Sequence, residues 1–271
     1  MSHIFFYQDE DLFCHHSLDE NPNPQLFPMH AHEMMEIFYF ISGKGSYLVE
    51  GCEYCLHPGD ILIMRATETH KLIISSEEPY ERIAVLFSPS ILSSVDPAQR
   101  LLKPFLNRPL GHMNDYVSKV DIEGKLRAFF DNFNFEGTSN VRFNVVGRLL
   151  LFLSGLEELY ENAVTDYVPE KGFQAELIAY VNEHLFEEMT LQSVADYFYR
   201  SPSQIGRIFR QATGSPFWKY VSIKRLLSAR AKIQWGEPAG SACISCGFSD
   251  YSAFFRAYRS YFGHPPSDDA P

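Results

Sequence analysis

The hydrophobic positions of this chain change period part-way along it. From Gln25 to about Phe87, short apolar runs alternate with turn signals: EIFYFI, SGKGS, YLV, EGCEY, then DILIM after His57-Pro58-Gly59. Strands this short, separated by Gly-containing turns, predict a sandwich or small barrel. After Pro89 the spacing becomes helical. Asp121 to Phe135 and Arg142 to Tyr160 read as helices, the second with Val145, Leu149, Phe152, Leu153, Leu156 and Leu159 on one stripe. The connection Gly137 to Asn140 is short, which predicts an antiparallel hairpin that either dimerises or covers one end of the barrel. The polar tract from Glu161 to Gly172 reads as a linker.

Beyond the linker the pattern is helical and punctuated by caps. Leu191, Val194, Ala195 and Phe198 fall on one face behind the N-cap Thr190. Ser201 caps a second helix with Pro202 at its first position, and Ile205, Ile208, Phe209 and Ala212 form its inner stripe up to Gly214. Its other face carries Ser203, Arg207 and Arg210. A longer helix follows from about Phe217 to Trp235, with Tyr220, Ile223 and Leu227 inward. The short-helix, turn, helix pattern then repeats. Ser241 to Cys246 is followed by Gly247 and by a helix that Ser249 can cap, reaching Phe262. Phe254, Ala257, Tyr258 and Tyr261 make its buried stripe, leaving Tyr251, Ser252, Phe255, Arg256 and Arg259 outside. Two short helices with a basic outer face on the second are what a helix-turn-helix needs to enter a major groove.

Charge sharpens this picture. The net charge of −11 argues against nucleic acid if the chain is averaged. Residues 171–271, however, hold 11 Lys+Arg and 9 Asp+Glu, so the acidity lies in residues 1–170, at −13. Tyr197 to Gly236 contains Arg200, Arg207, Arg210, Lys219, Lys224, Arg225, Arg230 and Lys232 with no acid, which predicts salt-dependent DNA binding. The N-terminus has no basic flank or long apolar run, no segment has the apolar length of a membrane span, and five cysteines suit a reducing compartment. A cytoplasmic protein is expected.

The series SPSQIGRIFRQATGSPFWKYVSIKRLLSARA, then CGFSDYSAFFRAYRSYFGHPP, resembles the signature of the AraC/XylS family of bacterial transcription regulators. Ser201, Arg207, Phe209, Gly214, Tyr220, Arg225, Leu226, Ala229, Gly247, Phe248, Asp250, Phe254, Arg256, Phe262, Gly263 and Pro266 hold the spacing over residues 173–267. The resemblance implies two helix-turn-helix units joined by a linker helix and set in successive major grooves. It places Ser203, Gly206 and Arg207 of the first unit, and Tyr251, Ser252, Phe255 and Arg256 of the second, towards the bases. Arg210 and Arg259 are expected on phosphates. Gly206 departs from the pattern, because a side chain usually stands there.

HAHEMMEIFYFISG sets His30, His32, Glu36 and Gly43 at H-x-H-x3-E-x6-G, with His70 following on a later strand. This resembles the cupin barrel motif, in which such residues converge on a metal. Strand alternation would put His30 and His32 on one face. Arg65 and Thr67 stand where Pro and Gly are usual in the second half of that motif. The four residues are expected to line an effector pocket, or alternatively to hold a first-row divalent ion. The C-x-x-C pairs Cys52/Cys55 and Cys243/Cys246 read as structural, with redox sensing or zinc as lesser alternatives.

The expected architecture is an α+β multidomain chain. Residues 1–161 form a cupin-like effector and dimerisation domain with the barrel at about 25–87 and helices at about 90–161. Residues 162–172 form the linker, and 173–271 an all-α DNA-binding domain with two helix-turn-helix motifs. The expected function is a sequence-specific transcription regulator, an activator rather than an enzyme, controlled by a small molecule such as a sugar. It would act as a homodimer on double-stranded DNA and contact RNA polymerase, with no resident cofactor required and no membrane partner. The alternative is a metal-dependent cupin enzyme fused to DNA-binding helices.

Overall fold

A computed structural model of the chain describes residues 2–116, 124–164 and 172–270. The strands are β1 (Ser2–Gln8), β2 (Leu12–Asp19), β3 (Met35–Ser42), β4 (Gly45–Val49), β5 (Cys52–Cys55), β6 (Ile61–Met64), β7 (His70–Ile74), β8 (Tyr80–Phe87) and β9 (Asp115–Tyr116). A six-stranded antiparallel sheet, in the order β1-β2-β8-β3-β6-β9, faces a three-stranded sheet, β5-β4-β7. The barrel therefore begins at Ser2 and not near residue 25. FCHHSLD hides its strand period because histidines and a serine occupy positions whose neighbours Leu12 and Cys14 are fully buried.

Along β3 the period of two splits the side chains between two cores. Phe38 and Phe40 point between the sheets with Tyr47, Leu62 and Tyr80. Met35 and Ile37 point to the outer face, where a second core forms. Following the one-turn helix α1 (Lys103–Leu106), helix α2 (Val141–Val164) lies on that outer face through Val145, Leu149, Phe152, Leu153 and Leu156. The predicted stripe is thus buried, with Leu159 at its edge.

The predicted hairpin does not form. Residues 121–123 lie outside the described residues, and from Gly124 to Phe135 the chain makes turns and one 3-10 segment, Arg127–Phe129. Phe129, Phe130, Phe133 and Phe135 are all buried. A helix would splay side chains at these spacings around its axis, so burying all four requires an irregular chain. Asn132 at φ 51° breaks any helical continuation. Tyr39 stacks on Phe130 with ring centroids 4.2 Å apart, closing this aromatic layer under α2.

The turn between β6 and β7 departs from the cupin pattern at Arg65 and Thr67, yet keeps its shape. Thr67 takes φ 66° where glycine would be unstrained. Glu68 and Arg108, both fully buried, form a two-pronged ion pair at 2.8 and 2.6 Å. Asn114 Nδ2 and Gly111 N–H also donate to Glu68. Burial alone would raise the Glu68 pKa, but Arg108 and the Gly111 amide hold it down to about 2.

The C-terminal helices are α3 (Phe173–Glu183), α4 (Leu191–Tyr197), α5 (Pro202–Thr213), α6 (Phe217–Gln234), α7 (Ala239–Ser245) and α8 (Tyr251–Phe262). Thr190 and Ser201 cap α4 and α5 with reciprocal capping boxes, and Gly214 ends α5 at φ 70°. The cap of α8 is Asp250, not Ser249: its carboxylate accepts from Ser252 N and Ala253 N. Helix α6 belongs to two cores, one with α3 to α5 and one with α7 and α8. Among the described residues no helix is long and apolar enough to cross a membrane.

The buried pair yields a first prediction. Arg108→Met should destabilise the protein by about 3–5 kcal/mol by leaving Glu68 uncompensated. In the wild type, the folded-state pKa of Glu68 is depressed, so its contribution is complete above the ordinary carboxylate value near 4.5 and is lost as pH falls through about 2. Urea unfolding at pH 7 and at pH 3 checks both statements. A variant as stable as wild type at pH 7 would contradict them.

Candidate DNA-binding and effector sites

Two helices present basic faces to solvent. On α5, Ser203, Arg207 and Arg210 are exposed and Gly206 half-buried, opposite Ile205 and Phe209 in the core. On α8, Tyr251, Ser252, Arg256 and Arg259 are exposed and Phe255 half-buried, opposite Phe254 and Tyr258. Ala257 and Tyr261 are half-buried beside that stripe. A shallow depression of about 400 Å³ is lined by Phe255, Arg256, Arg259 and Ser260.

The acid-free tract is less uniformly available than its composition suggests. Arg200, Arg207, Arg210 and Lys219 are exposed. Lys224 and Arg225 are buried, and Arg230 pairs with Glu33 and Asp269. Arg225 donates to the carbonyls of Leu185, Glu187 and Gly247 at 2.7, 2.8 and 2.5 Å. It is a structural clamp, because these carbonyls, in the turn after α3 and the turn before α8, need donors where the chain makes no regular structure. Gly247, at φ 79°, lies where a Cβ would come within 2.8 Å of Phe186 O and 2.9 Å of Arg225 Cζ.

At the mouth of the barrel His30, His32, Glu36 and His70 come together. His32 Nε2 lies 2.8 Å and His70 Nε2 3.2 Å from Glu36 Oε2, and His30 Nε2 is 3.1 Å from His70 Nε2. The route differs from the strand expected for His30 and His32. His30 makes a lone bridge to His70, and His32 sits in an irregular stretch before β3 whose carbonyl accepts from Thr67 N. Each imidazole Nδ1 faces a backbone carbonyl, of Pro28, Met34 and Glu68, at 3.0, 2.8 and 2.8 Å. These acceptors fix the proton on Nδ1 and leave Nε2 directed at the cluster centre. Burial opposes the charge on Glu36, but bonds from His32 and His70 hold its pKa well below the usual range. Burial likewise opposes the charge on His70, and Glu36 outweighs it, raising the pKa of His70. The ligand atoms of His32, Glu36 and His70 lie within 4.8 Å of one another. On losing the Nε2 protons that bond Glu36, the imidazoles would offer lone pairs beside one carboxylate, a donor set that fits a first-row divalent cation.

Comparison with known proteins agrees with both halves. A family model described as a helix-turn-helix domain matches residues 194–269, and one described as a cupin domain matches residues 20–86. Among curated proteins, the HTH-type transcriptional activator RhaS of Escherichia fergusonii is 24% identical over 247 residues, covering 89% of this chain and 87% of the relative. RhaS of Shigella sonnei is 25% identical over 249 residues with the same coverage. The chain is thus similar in both halves to AraC-type transcription regulators. Among solved structures, ToxT from Vibrio cholerae aligns over 96% of this chain and 97% of its own, at 12% identity and a TM-score of 0.41.

The barrel docks on the C-terminal helices at two places that the sequence does not announce. Glu50, in the turn after β4, is buried and accepts from Thr69 N and Thr69 Oγ1 at 2.6 and 3.0 Å within the barrel. Across the boundary it pairs with Lys224 Nζ at 2.8 Å and accepts from Tyr220 OH. The second place is the stretch carrying His30 and His32. Met29 and Ala31 join the core of α3 to α6, Ala31 O accepts from Tyr261 OH at 3.0 Å, and Glu33 lies 3.3 Å from Arg230. The charge opposition of an acid-rich first half and a basic second half was the available signal, but it named no pair. Cys243 and Cys246 are buried under α6, whereas Cys52 faces His112 and Cys55 is exposed, so the two C-x-x-C pairs sit in separate domains.

Gly206 generates a prediction for the first motif. A Cβ there would meet only Leu191 Cδ2, at an ordinary 3.6 Å. Gly206→Ala should therefore stabilise the protein by about 1 kcal/mol through helix propensity alone. Thermal unfolding measures it, and a lower melting temperature would show that the helix needs the missing side chain.

Proposed function

We propose that this regulator activates transcription as a cytoplasmic homodimer, reading DNA with α5 and α8 and taking a small polyhydroxylated effector such as a sugar at the barrel mouth. The observation that carries the DNA reading is the pairing of exposed basic faces on two capped helices that share one linker helix. Arg207 and Arg256 would read base edges, with Ser203, Tyr251, Ser252 and Phe255 beside them, and Arg210 and Arg259 would hold phosphates. Activation, supported by the naming of RhaS as an activator, implies contact with RNA polymerase. We place the effector and dimerisation domain at 1–161, the linker at 162–172 and the DNA-binding domain at 173–271, with α2 running on to Val164. Residues 165–171 lie outside the described residues.

His30, His32, Glu36 and His70 supply donors and acceptors for effector hydroxyls. A second reading is favoured by the three Nδ1–carbonyl bonds: the same residues would hold a divalent cation, which when bound supplies positive charge to effector oxygens. The relatives are named as regulators, and that supports regulation over catalysis at this site.

Helix α2 carries the proposed dimer contact. Phe143 and Leu151 are 81% and 77% exposed, and Gly147 lies between them on the same face. Apolar side chains at i and i+8 on an otherwise solvated face suit a second copy of the same helix. Phe143→Glu with Leu151→Glu should give a monomer by analytical ultracentrifugation, with the melting temperature at low concentration unchanged. A variant that remains dimeric would move the interface elsewhere.

Footprinting on the DNA beside its own gene, with and without candidate sugars, tests the regulatory reading. On the site so found, Arg256→Ala should cost about 1–3 kcal/mol of affinity and flatten preference at one base pair. Arg259→Ala should weaken all sequences alike. Equal effects of the two on specificity would sink the assignment.

A further inference from the structure

One strip of the barrel interior carries polar groups left without partners among the described residues. Leu12 and Cys14 of β2 lie in the outer core, so the period of two turns Ser17 inward. On β8, Tyr80 joins the core between the sheets, and Arg82, two positions on, shares its face. Ser17 and Arg82 stand directly opposite each other in the pairing of β2 with β8. Ser17 Oγ and Tyr80 OH are fully buried and have no hydrogen-bond partner among the described residues. Arg82, half-buried, makes neither a hydrogen bond nor an ion pair with any described residue. The carboxylates on this inner face, Asp19 and Glu36, each have partners of their own. Burying polar groups unpaired costs stability, so a group of them marks a place where a ligand supplies the missing partner.

The charge of the strip is as telling as its vacant bonds. Burial lowers the pKa of His15, opposite Ala84 on the same face, to about 4, with Arg82 adding to the effect, so His15 is neutral at pH 7. The fixed charge is that of Arg82. Tyr47 links this strip to the histidine cluster: its ring stacks on His70 with centroids 5.8 Å apart, and its buried hydroxyl feels the opposite charges of Glu36 and Arg82.

We propose that the effector is an acid: Arg82, Ser17 and Tyr80 seat its carboxylate, and its hydroxyls reach past Tyr47 to His32, Glu36 and His70. The inference rests on the barrel being the effector site and adds the charge of the ligand to that reading. A guanidinium donates two parallel N–H bonds to a carboxylate, and two neutral hydroxyls complete the set without adding charge. This count selects a monoanion. A phosphate dianion calls for a second cation, which the strip lacks among its described residues. Glu36 repels an anionic group and accepts from hydroxyls, so the ligand has one orientation, with its acid end at Arg82. A sugar acid, an aldonate or a uronate, carries both ends on one small molecule.

Titration of the full-length protein with sodium acetate, and with acetamide as its neutral counterpart, tests the subsite without the effector. At constant ionic strength the Arg82 Nε–H resonance, assigned by its loss in Arg82→Met, should shift saturably with acetate and stay put with acetamide. No saturable shift overturns the proposal. Calorimetry with galacturonate and gluconate, against galactose and glucose, extends the test to whole ligands. The preferred acid should bind about tenfold or more tighter than its neutral parent, and Arg82→Met should erase that difference. Equal affinity for acid and parent overturns the assignment. The same variant should not lower the melting temperature of the ligand-free protein, since it removes a charge that has no counter-charge. A lowered one would show that Arg82 is paired in the fold, which also overturns the assignment. If acetate shifts Arg82 while none of the four sugars and sugar acids binds, the sugar reading fails and the anion subsite stands.

Discussion

A carboxylate withdrawn from water must be met by donors on every side, and Glu50 is met from both domains at once. Thr69 supplies an amide and a hydroxyl from the barrel, and Lys224 and Tyr220 supply an ammonium and a phenol from the linker helix. Separating the domains would leave Glu50 half-satisfied and Lys224 without its buried counter-charge, a cost of several kcal/mol. Geometry this demanding fixes register as well as contact. Gly51 beside it allows the close approach, since a Cβ there would collide with Ile178 Cδ1 at 2.1 Å. The orientation of α6 to the barrel follows from this junction, and the two cores on α6 carry it to both basic helices.

Local rules made the C-terminal helices legible. Thr190, Ser201, Pro202 and Gly214 act within one turn of where they stand, so a linear reading places α4 and α5 to the residue. At α8 the same rule missed by one position, because Asp250 and Ser249 are both good caps and only the backbone geometry chooses. The barrel was legible where its strands alternate cleanly, from β3 to β7. It was not legible at β1, a largely exposed edge strand, or at β2, where His15, Ser17 and Asp19 are buried polar positions. The phenylalanines of 129–135 imitate a helix in composition while filling a layer that no helix can fill.

The candidate site divides along the same line. His30, His32, Glu36 and His70 were readable as a constellation because their residue types have few other reasons to recur at that spacing. Their path was not, since His30 and His32 are placed by a bridge to His70 and not by a strand of their own. The basic tract was readable as charge and misleading as surface. Lys224, Arg225 and Arg230 serve folding and docking, which leaves a smaller set of cations than composition suggests to meet phosphates. Such division of labour depends on contacts between residues from about twenty to nearly two hundred positions apart, beyond the reach of any helical or strand period.

Arg225 carries a consequence for what this protein can recognise. One guanidinium grips the loop after α3 and the turn before α8, so the two reading helices share a single rigid frame. A reader with a flexible joint tolerates variable spacing between its half-sites. A reader on a fixed frame has a fixed phase, and any mismatch in helical pitch must be taken up by the duplex. Bendable steps between the two contacted grooves then become part of the recognised sequence, although no side chain touches them.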